Sequence, residues 1–233
     1  MKTTVGLLAG AVLLAGACGG GSSGPATGTV QGLVRDTAGA PLEQVPVQLK
    51  NAGTATVVRS ATTTSSGAYT MLGIASGFYD VFVTVPSATQ VVGVNPVVGV
   101  NVTGGGTATA DFSLRYLPVS FSTHVEPLLN ASCSSGCHGG ASPLQGMNLA
   151  TGQAYTNTVN VPAMEPTPAM DRIEPSDTAL SYLIRKIEGT QGSLTCVPAV
   201  PNCGQRMPLG APPLPLQTIR MIKRWVLAGA PNN

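Results

Sequence analysis

Charge is scarce in this chain. Asp, Glu, Lys and Arg together make up 9% of 233 residues, with twelve basic against ten acidic side chains and a net charge of +2. The basic residues are interspersed with the acidic ones and form no run, so the electrostatic footprint of a nucleic-acid binder is missing. Aromatic residues reach only 4%, with a single Trp. Histidine occurs twice and cysteine five times. There is also no Gly-rich nucleotide loop, no second cofactor motif and no paired acid and base at catalytic spacing, which argues against an enzyme. What is abundant is Gly, Pro, Ala, Thr and Val. A hydrophobic fraction of 43% is enough for cores and excludes a disordered composition. The length suits two domains of ordinary size.

The first residues form a targeting segment. Lys2 supplies a positive charge, and the apolar stretch from Val5 to Ala15 has signal-peptide length and is too short to span a bilayer. Leu14-Ala15-Gly16-Ala17-Cys18 resembles a bacterial lipobox, although Ala15 stands where Leu is usual and Leu14 is one place early. The resemblance implies cleavage after residue 17 and acylation of Cys18; the alternative is ordinary cleavage with Cys18 as a stray thiol. Residues 18–27 are a Gly/Ser-rich tether. Gly19 rather than Asp after the cysteine implies, by the same resemblance, an outer-membrane lipoprotein on the periplasmic face or cell surface.

The most distinctive string is Cys133-Ser134-Ser135-Gly136-Cys137-His138. Two cysteines followed at once by a histidine are a means of attaching a c-type haem. Each thiol gives a thioether, and the imidazole reaches the iron. The common form has two residues between the cysteines, and this one has three. Two other chemistries fit the string. Cys133 and Cys137 could form a plain disulfide. A zinc site from His124, Cys133, Cys137 and His138 is also chemically allowed, although the spacing matches no common zinc module.

Export settles the remaining thiols. Outside the cytoplasm cysteines oxidise or are otherwise occupied. With Cys18 assigned to lipid and Cys133 and Cys137 to haem, Cys196 and Cys203 remain. They read as a local disulfide across a Pro-containing loop.

Residues 28–115 contain no cysteine or histidine, and β-branched residues alternate with small or polar ones. About seven strands emerge from the alternation and the turn residues between them: 29–34, 45–49, 55–63, 69–72, 79–85, 91–102 and 107–114. The pattern predicts an antiparallel sandwich. Val30-Gln31-Gly32-Leu33-Val34-Arg35-Asp36, Gly39-Ala40-Pro41-Leu42, Val45-Pro46-Val47, Gly67-Ala68-Tyr69-Thr70 and Gly77-Phe78-Tyr79-Asp80-Val81 resemble the carboxypeptidase regulatory-like domain, a transthyretin-like sandwich. That resemblance implies a spacer or adhesion module.

Residues 117–233 carry helical signals. Phe121, His124, Val125, Leu128 and Leu129 share one helix face. Pro175-Ser176-Asp177 predicts a helix start before Leu180, Leu183, Ile184 and Ile187, with Gly189 as its end. Pro215 precedes a last helix, Leu216 to Leu227, with Ile219, Ile222 and Val226 inward and Arg220, Lys223 and Arg224 outward. Val125-Glu126-Pro127-Leu128-Leu129, the cysteine motif with Gly139, Glu174-Pro175-Ser176, Arg206-Met207-Pro208 and Ile222-Lys223-Arg224-Trp225-Val226-Leu227-Ala228-Gly229-Ala230 resemble the planctomycete-type monohaem cytochrome c domain. The resemblance implies an all-α domain with one covalent haem c, His138 and Met207 as axial ligands, and Arg206 as a partner of a haem propionate. His124 is the alternative sixth ligand. Trp225 either reaches a propionate or closes the core.

Three functions are therefore in play. The first is a membrane-anchored electron carrier working with redox partner proteins. The second is a gas-binding or oxidoreductase haem protein with an open distal site. The third is a structural surface lipoprotein with a disulfide at Cys133 and Cys137.

Overall fold

The computed structural model describes residues 26–233. The signal segment, Cys18 and most of the tether lie outside the described residues. Nine strands come first: β1 (Thr27–Asp36), β2 (Pro46–Asn51), β3 (Val57–Thr62), β4 (Ala68–Ala75), β5 (Gly77–Val83), β6 (Thr89–Val92), β7 (Val97–Val102), β8 (Thr107–Thr109) and β9 (Phe112–Tyr116). They form two sheets. One has the order β4-β1-β9-β6, with β8 also on β1, and the other has the order β3-β2-β5-β7.

The core between the sheets arises from period-2 alternation. Val47 and Leu49 on β2, Val81 and Val83 on β5, Val100 and Val102 on β7, and Phe112 and Leu114 on β9 are all buried. Each such side chain contributes about 1.5–3 kcal/mol of apolar burial. Two expected strands are each divided. Gly93, with positive φ, and Pro96 separate β6 from β7. Asp111 separates β8 from β9, its carboxylate accepting the Leu33 N–H at 2.8 Å. Both β8 and β9 run parallel to β1, so the sandwich is not purely antiparallel. Gly32 lets these strands approach: a Cβ there would meet the Ala110 carbonyl oxygen at 1.9 Å.

Residues 117–233 do not form the expected all-α cytochrome c domain. The α-helices are short: α1 (Glu126–Leu129), α2 (Tyr182–Glu188) and α3 (Leu216–Leu227). α1 is flanked by π-helical turns at Phe121–Val125 and Asn130–Ser134. From Ser135 to Ser181 the chain runs in turns, isolated bridges and one 3₁₀ turn. Pro143, Pro162, Pro166, Pro168 and Pro175 punctuate that stretch and deny a helix its N–H donors. The molecule as a whole is mainly β.

A second core nonetheless forms. Phe121, Val125 and Leu129 bury the predicted face of the first helical run against Ile184, Ile187, Ile222 and Trp225. Phe121 packs edge-on to Tyr155 at 5.2 Å and tilted to Trp225 at 5.3 Å. Trp225 closes this core, and its indole N–H donates to the Pro231 carbonyl at 3.0 Å. α2 starts later than predicted, because Asp177 caps a turn through the N–H groups of Ala179 and Leu180 and leaves Leu180 exposed. Gly189, at φ 78°, ends it as predicted.

The two units touch along α3. The Gln217 side-chain amide donates to the Glu43 carbonyl, and Arg220 lies 3.6 Å from the Glu43 carboxylate. Arg224 does not point outward as the helix pattern predicts. It donates to the Ala88 carbonyl at 3.1 Å and stacks over Tyr116.

Candidate functional site

The cysteine motif begins inside a helical turn and leaves it. Cys133 belongs to the π-helical turn, which ends at Ser134. Ser135 is extended, with ψ 120°, and Gly136 has φ 75°. The chain then folds back, the His138 N–H donating to the Cys133 carbonyl at 3.1 Å and the Cys137 N–H to the Ser134 carbonyl at 3.4 Å. Gly139 packs on this turn so closely that a Cβ would lie 2.4 Å from the Ser134 hydroxyl. Sequence neighbours are thereby gathered into one compact loop.

That loop forms part of the wall of a cavity of about 190 Å³. Leu129, Leu149, Leu183 and Ile187 supply apolar wall. Cys133, Cys137, His138 and Met207 line it too, so the structure brings these four predicted residues together. His138 is buried, and its Nδ1 sits 3.1 Å from the Leu144 carbonyl. Burial holds its pKa below the ordinary imidazole value, a trend that the bonds to backbone only partly offset. Cys133 and Cys137 are free, half-buried thiols. Burial, and then the neighbouring Cys137, push the Cys133 thiol up to about 11. Met207 is positioned by its own N–H, which donates to the Lys186 carbonyl at 2.9 Å.

The other predicted residues lie apart from this wall. His124 accepts the Ser120 N–H on Nδ1 at 3.0 Å. Arg206 donates from Nε to the Ile187 carbonyl at 3.0 Å, which caps the C-terminal end of α2. The disulfide between Cys196 and Cys203 is formed, with Cα atoms 5.3 Å apart.

Sequence reasoning missed the polar half of the cavity. Arg172 donates to the carbonyls of Asn157 and Gln145, each at 2.7 Å, and so ties together three loop segments. Lys186 is buried on α2. Its ammonium donates to the Cys203 carbonyl at 2.8 Å and lies 3.7 Å from Glu165. The Tyr182 hydroxyl bonds Glu165 and the same Cys203 carbonyl. Burial lowers the Lys186 pKa even though Glu165 opposes the shift. The available signal was a lysine between Ile184 and Ile187, on a face otherwise apolar.

These observations overturn the haem c assignment. The all-α fold that implied it is absent from 117–233. Among the described residues no three His, Cys, Asp or Glu side chains form a group able to hold a metal ion. The cations near the cavity are already committed: Arg172 to backbone carbonyls, Lys186 to Cys203 and Glu165, and Arg206 to Ile187. The haem c with its ligation by His138 and Met207, the electron-carrier function, the open-site haem variant and the zinc alternative are overturned. The alternative disulfide at Cys133 and Cys137 is not formed either, since both thiols are free.

The sandwich can be placed. Residues 29–115 match the carboxypeptidase regulatory-like domain. The match agrees with the two sheets and with the expectation from the β-strand motifs. No curated protein matches the chain. Solved structures similar to it include the minor pilin GBS52 of Streptococcus agalactiae, at 20% identity and a TM-score of 0.33 over 40% of this chain and 46% of that one. The major pilin SpaD of Corynebacterium diphtheriae is 14% identical, with a TM-score of 0.32 over 39% and 32%. A DUF3823 family protein of Parabacteroides merdae is 19% identical, with a TM-score of 0.31 over 40% and 48%. The chain spans less than half the length of each.

Proposed function

We propose that this chain is an exported structural lipoprotein and not an enzyme. In this reading residues 1–17 direct export, Cys18 carries the lipid and residues 18–27 form a tether. The carboxypeptidase regulatory-like domain is then a stalk that holds the C-terminal unit away from the membrane. The observation that carries the reading is the closed Cys196–Cys203 disulfide, because such bonds persist outside the reducing cytoplasm. The specific docking of α3 on the sandwich supports it as well: a stalk that positions a second unit needs a defined junction, and Glu43, Ala88 and Tyr116 provide one.

Fractionation of a Gram-negative host tests the proposal. The wild-type chain is expected with the membranes, with an acylated mature N-terminus by mass spectrometry. Cys18→Ser is expected in the soluble envelope fraction or unprocessed. Wild-type protein found in the cytoplasm with Cys196 and Cys203 reduced would sink the reading.

A further inference from the structure

Cys133 and Cys137 have no role in the structural function, yet they are built into one tight turn. The hydrogen bonds from His138 to Cys133 and from Cys137 to Ser134 close that turn on itself. Both thiols line the same cavity and both are half-buried, while Ser135 and Gly136 between them are exposed. An oxidant can therefore reach the turn from solvent. The turn brings Cys137 back onto the helical segment that carries Cys133. A disulfide needs Cβ atoms about 3.5–4.5 Å apart and Cα atoms about 4.4–6.8 Å apart. Closure requires the turn to bring the two cysteines into that range. Gly136, at positive φ and with open space where a Cβ would stand, leaves the backbone between them free to adjust.

The geometry points to a redox-active dithiol at Cys133 and Cys137, which exchanges with a disulfide-bearing partner and closes as an intramolecular disulfide at the cavity wall. In the first step the thiolate of one cysteine attacks a sulfur of the partner disulfide, giving a mixed disulfide and releasing one partner thiol. In the second step the other cysteine, deprotonated, attacks the protein sulfur of that mixed disulfide and releases the second partner thiol. The two cysteines lose two electrons and two protons, and the partner disulfide gains them as two thiols. The chemistry goes beyond the structural role and does not depend on where the protein resides.

The test uses the full chain equilibrated in mixtures of reduced and oxidised glutathione, quenched in acid, alkylated with N-ethylmaleimide and mapped by mass spectrometry. The expected product at the oxidising end is a Cys133–Cys137 cross-link that takes no alkylating agent. It reopens in dithiothreitol at a poise that leaves Cys196–Cys203 closed. In Cys133→Ser and in Cys137→Ser the remaining thiol is expected to accumulate bound glutathione instead. The wild-type map stands without either variant. Two free, alkylated thiols at the oxidising end would overturn the inference, as would a cross-link running from Cys133 or Cys137 to Cys196 or Cys203.

Discussion

Arg224 sits over the ring of Tyr116, its guanidinium carbon 4.0 Å from the ring centroid. One residue belongs to the last helix and the other to the last strand of the sandwich, so this contact joins the two units. The same guanidinium reaches the Ala88 carbonyl. A cation–π pair on a partly exposed ring such as Tyr116 is worth about 0.5–1 kcal/mol, and the hydrogen bond adds about 1 kcal/mol. Arg224→Ala is therefore expected to destabilise the protein by about 1–2 kcal/mol on these scales. Arg224→Lys restores the charge without the planar guanidinium and should recover only part of the loss. A double-mutant cycle with Tyr116→Leu in chemical denaturation measures the coupling. A coupling energy of zero would mean that the stack contributes nothing to the junction.

Gly32 is the second point of rupture. A methyl group there meets the Ala110 carbonyl at 1.9 Å, and the nearest atoms are backbone, which cannot swing aside. Gly32→Ala is expected to push β8 and β9 off β1 and to cost several kcal/mol, at the upper end of single-residue effects. Gly39 is the contrasting position, with φ 85° and open space around the missing Cβ. There Gly39→Ala carries only backbone strain, of about 1 kcal/mol. Thermal melts of the two variants should differ clearly. Equal melting temperatures would refute the steric account.

How much of this is legible in the sequence depends on the kind of signal. Period-2 alternation locates the strands, because a half-buried strand must alternate. The divisions at Asn95-Pro96 and Asp111 are harder to see, since each rests on one side chain bonding a distant strand: Asn95 to Val83, and Asp111 to Leu33. In the C-terminal unit the apolar faces of Phe121–Leu129 and of α3 are readable. The stretch from Ser135 to Ser181 is not, because its shape comes from Arg172 on loop carbonyls, and no periodicity records that. The cysteine motif stands out in the sequence, but the fold it implies is too helical: isolated motif pieces match while the Pro-rich chain between them does not. A helix wheel places Arg224 in solvent because it cannot show that a sandwich lies beside that face.

Acid is expected to weaken the C-terminal unit through His138. Burial holds its folded-state pKa below the ordinary value of 6.5. Between those two values the unfolded chain binds more protons, so stability rises with pH there. The contribution is complete above about 6.5 and is lost as pH falls through the lowered folded value. The slope cannot exceed one proton, or about 1.4 kcal/mol per pH unit. His138→Gln should flatten the dependence of unfolding free energy on pH below about 6.5. A slope unchanged in that variant would assign the acid sensitivity to other groups.

The disulfide loop offers the last prediction, because its two ends do different things. Closing so short a loop contributes about 2–3 kcal/mol through the unfolded chain. In the folded state the Cys203 carbonyl also accepts from Lys186 at 2.8 Å and from the Tyr182 hydroxyl at 3.0 Å, so the bond holds a buried polar cluster against α2. Four residues further on, Met207 is held to the same helix through the Lys186 carbonyl. Cys196→Ser with Cys203→Ser is thus expected to lower stability by about 2–3 kcal/mol. It should also loosen one wall of the cavity while leaving the sandwich intact. Amide hydrogen exchange separates the two effects. The Met207 N–H should exchange faster in the double variant, and the N–H groups of β2 and β5 should keep their protection. If Met207 keeps its protection while global stability falls, the disulfide acts only on the unfolded chain and the cavity wall is held by α2 alone.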